Sequence, residues 1–166
     1  MEFQFERTFG PHEYRSITKA LFGTGSPSSS YIHLDLSGVE YSIATGIVPL
    51  IALIKNCRAA GADFEIQYPE DLEFWQKVGW WQVIEEMTPP GIEPGRSYIP
   101  IQAFRSQSEL NEAVNGAVEV LARHMDCAAG VIDSAAWTLN ELADNVLNHS
   151  QPEGIEATGL LQIVSH

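Results

Sequence analysis

Two places in this sequence combine residue types and spacings that suit chemistry. The first is the run from Val131 to His149, where Glu141, Asn145, Asn148 and His149 follow one another at helical intervals. At about 100° per residue, Ile132, Ala135, Leu139, Ala143 and Val146 share one apolar face. Glu141, Asn145 and Asn148 fall on the opposite side, with His149 at its edge. A carboxylate beside carboxamides supplies acceptor oxygens and amide donors. A solvated surface helix shows the same division of faces. The second place is Thr45-Gly46, where Gly46 is expected to open a helix. Backbone N–H groups at such a start are free and favour an anion such as a phosphoryl group. The plainer role for Thr45 there is an N-cap.

The segment Trp137-Thr138-Leu139-Asn140-Glu141-Leu142-Ala143-Asp144-Asn145-Val146-Leu147-Asn148-His149-Ser150 resembles the N-box of the gyrase, histidine-kinase and MutL-type (GHKL) ATPases. That motif reads E-x-x-x-N, then a basic residue and an aromatic or histidine. Glu141 and Asn145 match, and His149 holds the aromatic-or-histidine place. Asn148 stands where Lys or Arg is usual, which puts a direct phosphate contact in doubt. The resemblance implies that Asn145 helps hold Mg²⁺ near the phosphates of ATP, an oxygen donor for a hard cation. It implies that Glu141 is the base polarising an attacking water, with Asn148 and His149 beside the nucleotide. The family's later D-x-G-x-G turn and glycine-rich lid have no counterpart after His149, and Gly154 and Gly159 do not make that spacing.

The runs His33-Leu34-Asp35-Leu36-Ser37-Gly38-Val39 and Ile43-Ala44-Thr45-Gly46-Ile47 resemble the STAS family of anti-anti-sigma factors. Those domains carry a strand ending in D-L-S-x-V, then a D-S-S/T-G turn opening a helix. The likeness extends to Phe64–Tyr68 and to Val78-Gly79-Trp80, covering roughly the first half of the chain. In the family a kinase phosphorylates the first serine of the turn. Here Ala44 occupies that place and Ile43 the aspartate's, so the usual phosphoswitch is missing. Thr45 carries the remaining hydroxyl. The resemblance implies a module that docks a protein partner.

Other chemistries find no pattern. The histidines, at 12, 33, 124, 149 and 166, are not at metal-ligand spacing. There is no G-x-S-x-G elbow, phosphate-loop lysine motif or Rossmann glycine pattern. Gly23-Thr24-Gly25-Ser26 lacks the following lysine and reads as a loop. Nine basic residues against 22 acidic ones give a formal net charge of -13, which argues against nucleic acid and anionic membrane surfaces. The two cysteines, Cys57 and Cys127, lie in apolar helical patterns and read as small buried hydrophobes of a reducing compartment. No export signal precedes the first strand, and the longest apolar run, residues 47–54, is too short to span a bilayer. A cytoplasmic location follows as the expectation.

The elements that position these residues are read from periodicity. Glu2–Arg7 alternates as a strand, and Glu13–Phe22 has helical spacing. Tyr31–Leu36 alternates again, Gly46–Ala60 is a strongly apolar helix stopped by Gly61, Phe64–Tyr68 is a strand, and Glu70–Val78 is a short helix. Strand–helix alternation predicts an α/β sheet with parallel neighbours and packed helices. The grouping of Trp75, Trp80 and Trp81 reads as core packing or as an aromatic anchor for a partner. The Pro/Gly-rich run at residues 88–97 reads as a linker. Beyond it, Tyr98–Phe104 is extended, Ser108–Met125 and Val131–His149 are helices, and Gly159–Val164 starts a strand.

The expected organisation is therefore an STAS-like module over residues 1–87, a linker over 88–97 and an incomplete GHKL-like module over 98–166. The last is a partial α/β sandwich of two helices and a strand, expected to be a truncated domain. The expected function is a bacterial signalling regulator that joins protein docking to ATP and Mg²⁺ binding in a longer parent. This chain alone is expected to bind no nucleotide tightly. The competing expectation is a non-catalytic adaptor with a vestigial N-box.

Overall fold

A computed structural model describes residues 1–23, 31–93, 98–126, 128, 130–149 and 159–163. The chain is mixed α/β and divides into two compact units, Met1–Thr88 and Pro89–His166.

The first unit runs β1 (Glu2–Phe9), α1 (Pro11–Gly23), β2 (Tyr31–Ser42), α2 (Ala44–Ala59), β3 (Asp63–Gln67), α3 (Glu73–Lys77) and α4 (Trp80–Ile84). Its strands form one parallel sheet in the order β1-β2-β3. Alternation on β2 sends Ile32, Leu34 and Leu36 into the core. Phe9, Ile17, Leu21 and the apolar side of α2, from Ile47 to Cys57, complete that core. Cys57 is buried as its pattern predicts, and Cys127 lies outside the described residues. Pro11 is the first residue of α1, a position where a missing N–H costs nothing. On β1, Arg7 adopts φ 63° and the pairing with β2 slips between Gln4 and Glu6 and between Arg7 and Thr8. Irregularity of this kind disfavours further pairing along an edge strand.

Of the three grouped tryptophans, Trp75 and Trp80 resolve toward packing, and Trp81 is half-buried. Trp75 and Trp80 are fully buried and meet edge to face at 5.5 Å, with Phe74 and Tyr68 stacked edge to face around them. The Trp75 indole donates to Ser42 Oγ at 3.1 Å, satisfying the buried polar side chain of Ser42. Gly79 at φ 81° turns the chain between α3 and α4.

The second unit runs β4 (Ile99–Phe104), α5 (Gln107–His124), α6 (Val131–His149) and β5 (Gly159–Ile163). The expectation of two helices and one strand is corrected here. The extended segment is itself a strand, paired antiparallel with β5. Buried Ile99, Ile101 and Phe104 explain why this segment joins the sheet. Phe104, Leu110, Val114, Ala143 and Leu147 form one cluster, and Ile99, Ala117 and Val120 form another. Part of the expected linker belongs to this unit. Ile92 packs on the second cluster and against Gly116, where an added Cβ would lie 2.5 Å from its Cδ1.

Candidate functional site

Helix α6 holds the candidate residues by its inner face. Ala143 and Leu147 are buried in the cluster with Phe104, Leu110 and Val114, and Leu139 and Val146 pack against it. That contact fixes the rotation of the helix. Glu141, Asn145 and Asn148 consequently face outward, and all three are exposed. The sequence-based grouping of these three residues on one face holds. His149 ends the helix, and its side chain lies outside the described atoms.

The local hydrogen bonding separates the three. Asn148 Nδ2 donates to Asp144 Oδ2 at 2.8 Å, one turn back along the helix. That bond engages one N–H of the Asn148 amide within the helix. Among the described residues, neither Glu141 nor Asn145 makes a side-chain hydrogen bond, so both sets of oxygens are open to a ligand. Two oxygen-bearing side chains at i and i+4 suit a hard cation that keeps most of its waters. No Lys or Arg lies on α6 to meet phosphate charge. The outward face thus offers acceptor oxygens from Glu141 and Asn145 and no basic side chain. Among the described residues, no group of three or more His, Cys, Asp or Glu side chains is placed to hold a metal ion.

Thr45 and Gly46 take different places from those expected. Helix α2 begins at Ala44, with Ile43 as an N-cap that makes no side-chain cap bond. Thr45 is exposed in the first turn and is not the cap. Gly46 does not open the helix, and its N–H is already bonded to the Ile43 carbonyl at 2.9 Å. What fixes this helix start is backbone. Ile43 N–H donates to the Phe9 carbonyl at 2.9 Å, and Gly46 lies directly against Gly10. Gly46 is therefore required for close packing of two backbones.

One feature of α6 escaped the polar/apolar division of the sequence. Trp137 is 68% exposed and Leu142 is 60% exposed. Trp137 precedes Glu141 by one turn, so a large apolar ring sits on the outward face. Its position at i−4 from Glu141 was the available signal.

A separate open depression of about 440 Å³ lies on the polar face of the first unit's sheet. It is lined by Met1, Glu2, Tyr31, His33, Glu65 and Gln67 and contains none of the candidate residues. His33 Nδ1 is 3.6 Å from Glu2 Oε1, and the Tyr31 hydroxyl bonds Glu65. Among the described residues, no helix is long and apolar enough to cross a membrane. Comparison with protein-family models, curated proteins and solved structures gives no match.

Proposed function

We infer that this chain belongs to a bacterial cytoplasmic signalling regulator in which an STAS-like docking module accompanies a histidine-kinase-like nucleotide-binding module. The observation that carries this reading is the outward face of α6. Glu141 and Asn145 stand there exposed and without side-chain partners among the described residues, on a helix whose opposite face is locked into a core. A bound ATP·Mg²⁺ would supply the phosphoryl group and the charge-neutralising cation. Asn145 would offer its amide oxygen to the metal, and Glu141 would hold a water by accepting its proton in a hydrogen bond. This reading assigns no residue of the chain to the adenine contacts or to a lid.

The test is calorimetric titration of ATP·Mg²⁺ into this chain and into a longer protein containing it. The longer protein is expected to bind, and Asn145→Ala to weaken that binding by at least tenfold. This chain alone is expected not to bind at micromolar concentration. Absence of binding by the longer protein would favour the adaptor reading, which the exposed Trp137 and Leu142 support.

A further inference from the structure

We propose that the outward face of α6 is a docking surface for an arginine-bearing, partly apolar segment of a partner protein, seated on the ring of Trp137. This inference stands on the exposed tryptophan and the charge around it, and does not require nucleotide.

An exposed tryptophan on an otherwise polar helix face loses the favourable burial that such a ring normally gains. Trp137 is 68% exposed, Leu142 60% and Val131 47%. Helical spacing sets acidic neighbours around the ring. Asp133 lies one turn before it at i−4, Glu141 one turn after at i+4, and Asp144 two turns after at i+7. Asp133 and Glu141 are exposed, and Asp144 is half-buried.

The chemistry of this face selects its occupant. An aromatic face ringed by carboxylates attracts a cation twice, through the ring quadrupole and through charge. Guanidinium fits better than ammonium, because it is planar, stacks on indole and can bond a carboxylate bidentately. Leu142 and Val131, on the other flank, call for apolar side chains in the same partner. A second copy of this chain does not suit the face. Helix α6 carries three carboxylates and no Lys or Arg, and the chain's net charge is -13, so two such faces repel.

The experiment uses the full chain and a synthetic 15-residue amphipathic peptide with arginines at i, i+4 intervals beside a leucine face. Binding is followed by the indole N–H resonance of Trp137, assigned through Trp137→Phe. The arginine peptide is expected to shift that resonance. Trp137→Ala should weaken binding at least tenfold, while Trp137→Phe retains most of it. The combined Asp133→Asn and Glu141→Gln change should weaken binding several-fold, and the lysine version of the peptide should bind less tightly than the arginine one. Equal affinity of the Trp137→Ala chain would mean diffuse attraction to an acidic protein and would overturn the proposal. So would an unmoved Trp137 resonance, or a homodimer in sedimentation that Trp137→Ala dissociates. The surface location of Trp137 keeps these variants folded, which circular dichroism checks.

Discussion

Replacing Gly46 with alanine would place a methyl carbon 2.6 Å from both Cα and O of Gly10. Ordinary carbon contacts lie near 3.5–4.0 Å, so the shortfall is about 1 Å against backbone. The Gly10 turn has little freedom to retreat. Its N–H donates to Glu13 Oε2 at 2.9 Å, its carbonyl accepts from Tyr14 N–H at 3.1 Å, and neighbouring Phe9 accepts from Ile43 N–H at 2.9 Å. Overpacking of a tight site costs about 1–3 kcal/mol, and backbone on both sides points to the upper end. Alanine's better helix propensity returns at most about 1 kcal/mol. The net expectation is a loss of about 2 kcal/mol, which for a unit of this size lowers Tm by about 8–16 °C. Thermal unfolding of the full chain, followed by tryptophan fluorescence, reads this directly, since Trp75 and Trp80 are buried in the same unit. Thr45→Ala is the control, because Thr45 is exposed and caps nothing; it should stay within about 0.5 kcal/mol of the parent chain. A Gly46→Ala chain as stable as the parent would refute the backbone-contact argument and restore a regulatory reason for that glycine.

Ser42→Ala should destabilise the first unit by about 1–3 kcal/mol, because the buried Trp75 indole N–H would lose its acceptor; urea denaturation measures this. Gly159→Ala should destabilise the second unit by about 1–3 kcal/mol, since the added carbon would overlap the buried Phe104 ring, and amide exchange on β4 and β5 would report it. Alkaline pH should selectively weaken the Tyr68 region. Burial first, and then the Glu85 carboxylate bonded to its hydroxyl, hold the Tyr68 phenol above its ordinary value of 10.0. The folded state therefore keeps a proton that the unfolded state releases. That contribution is complete below about pH 10 and is lost as pH rises beyond it. Tyr68→Phe should flatten the alkaline fall in stability measured between pH 9 and about 11.

Much of this fold is legible in local pattern, and the failures have physical causes. Alternation on β2 gave the buried Ile32, Leu34 and Leu36, and strand–helix alternation gave a parallel sheet. Periodicity could not separate α3 from α4. The two have five residues each, too few for a repeat, and the turn between them depends on the positive φ of Gly79. The start of α5 was readable one step better than periodicity alone gave it. Ser106 and Glu109 form a capping box, with the Glu109 carboxyl held below its usual range by N–H donation from Arg105, then from Ser106.

The start of α2 misled because a hydroxyl near a helix start invites the N-cap role. Here the backbone bond from Ile43 to Phe9 and the close Gly46–Gly10 contact, rather than any side chain, set the boundary. On α6 the wheel placed Glu141, Asn145 and Asn148 correctly. It left out Trp137, because a tryptophan in an amphipathic helix is ordinarily taken for core. Only the packing of Ala143 and Leu147 shows which way that ring points.

The most direct test of the account is to map ATP·Mg²⁺ onto α6 by NMR in a longer protein containing this chain. The side-chain amide of Asn145 and the backbone around Glu141 are expected to shift on titration, and both to respond to Mg²⁺ in the presence of nucleotide. No change is expected at Thr45 and Gly46. Shifts confined to the first unit, or a saturated complex that leaves Glu141 and Asn145 unmoved, would contradict the account.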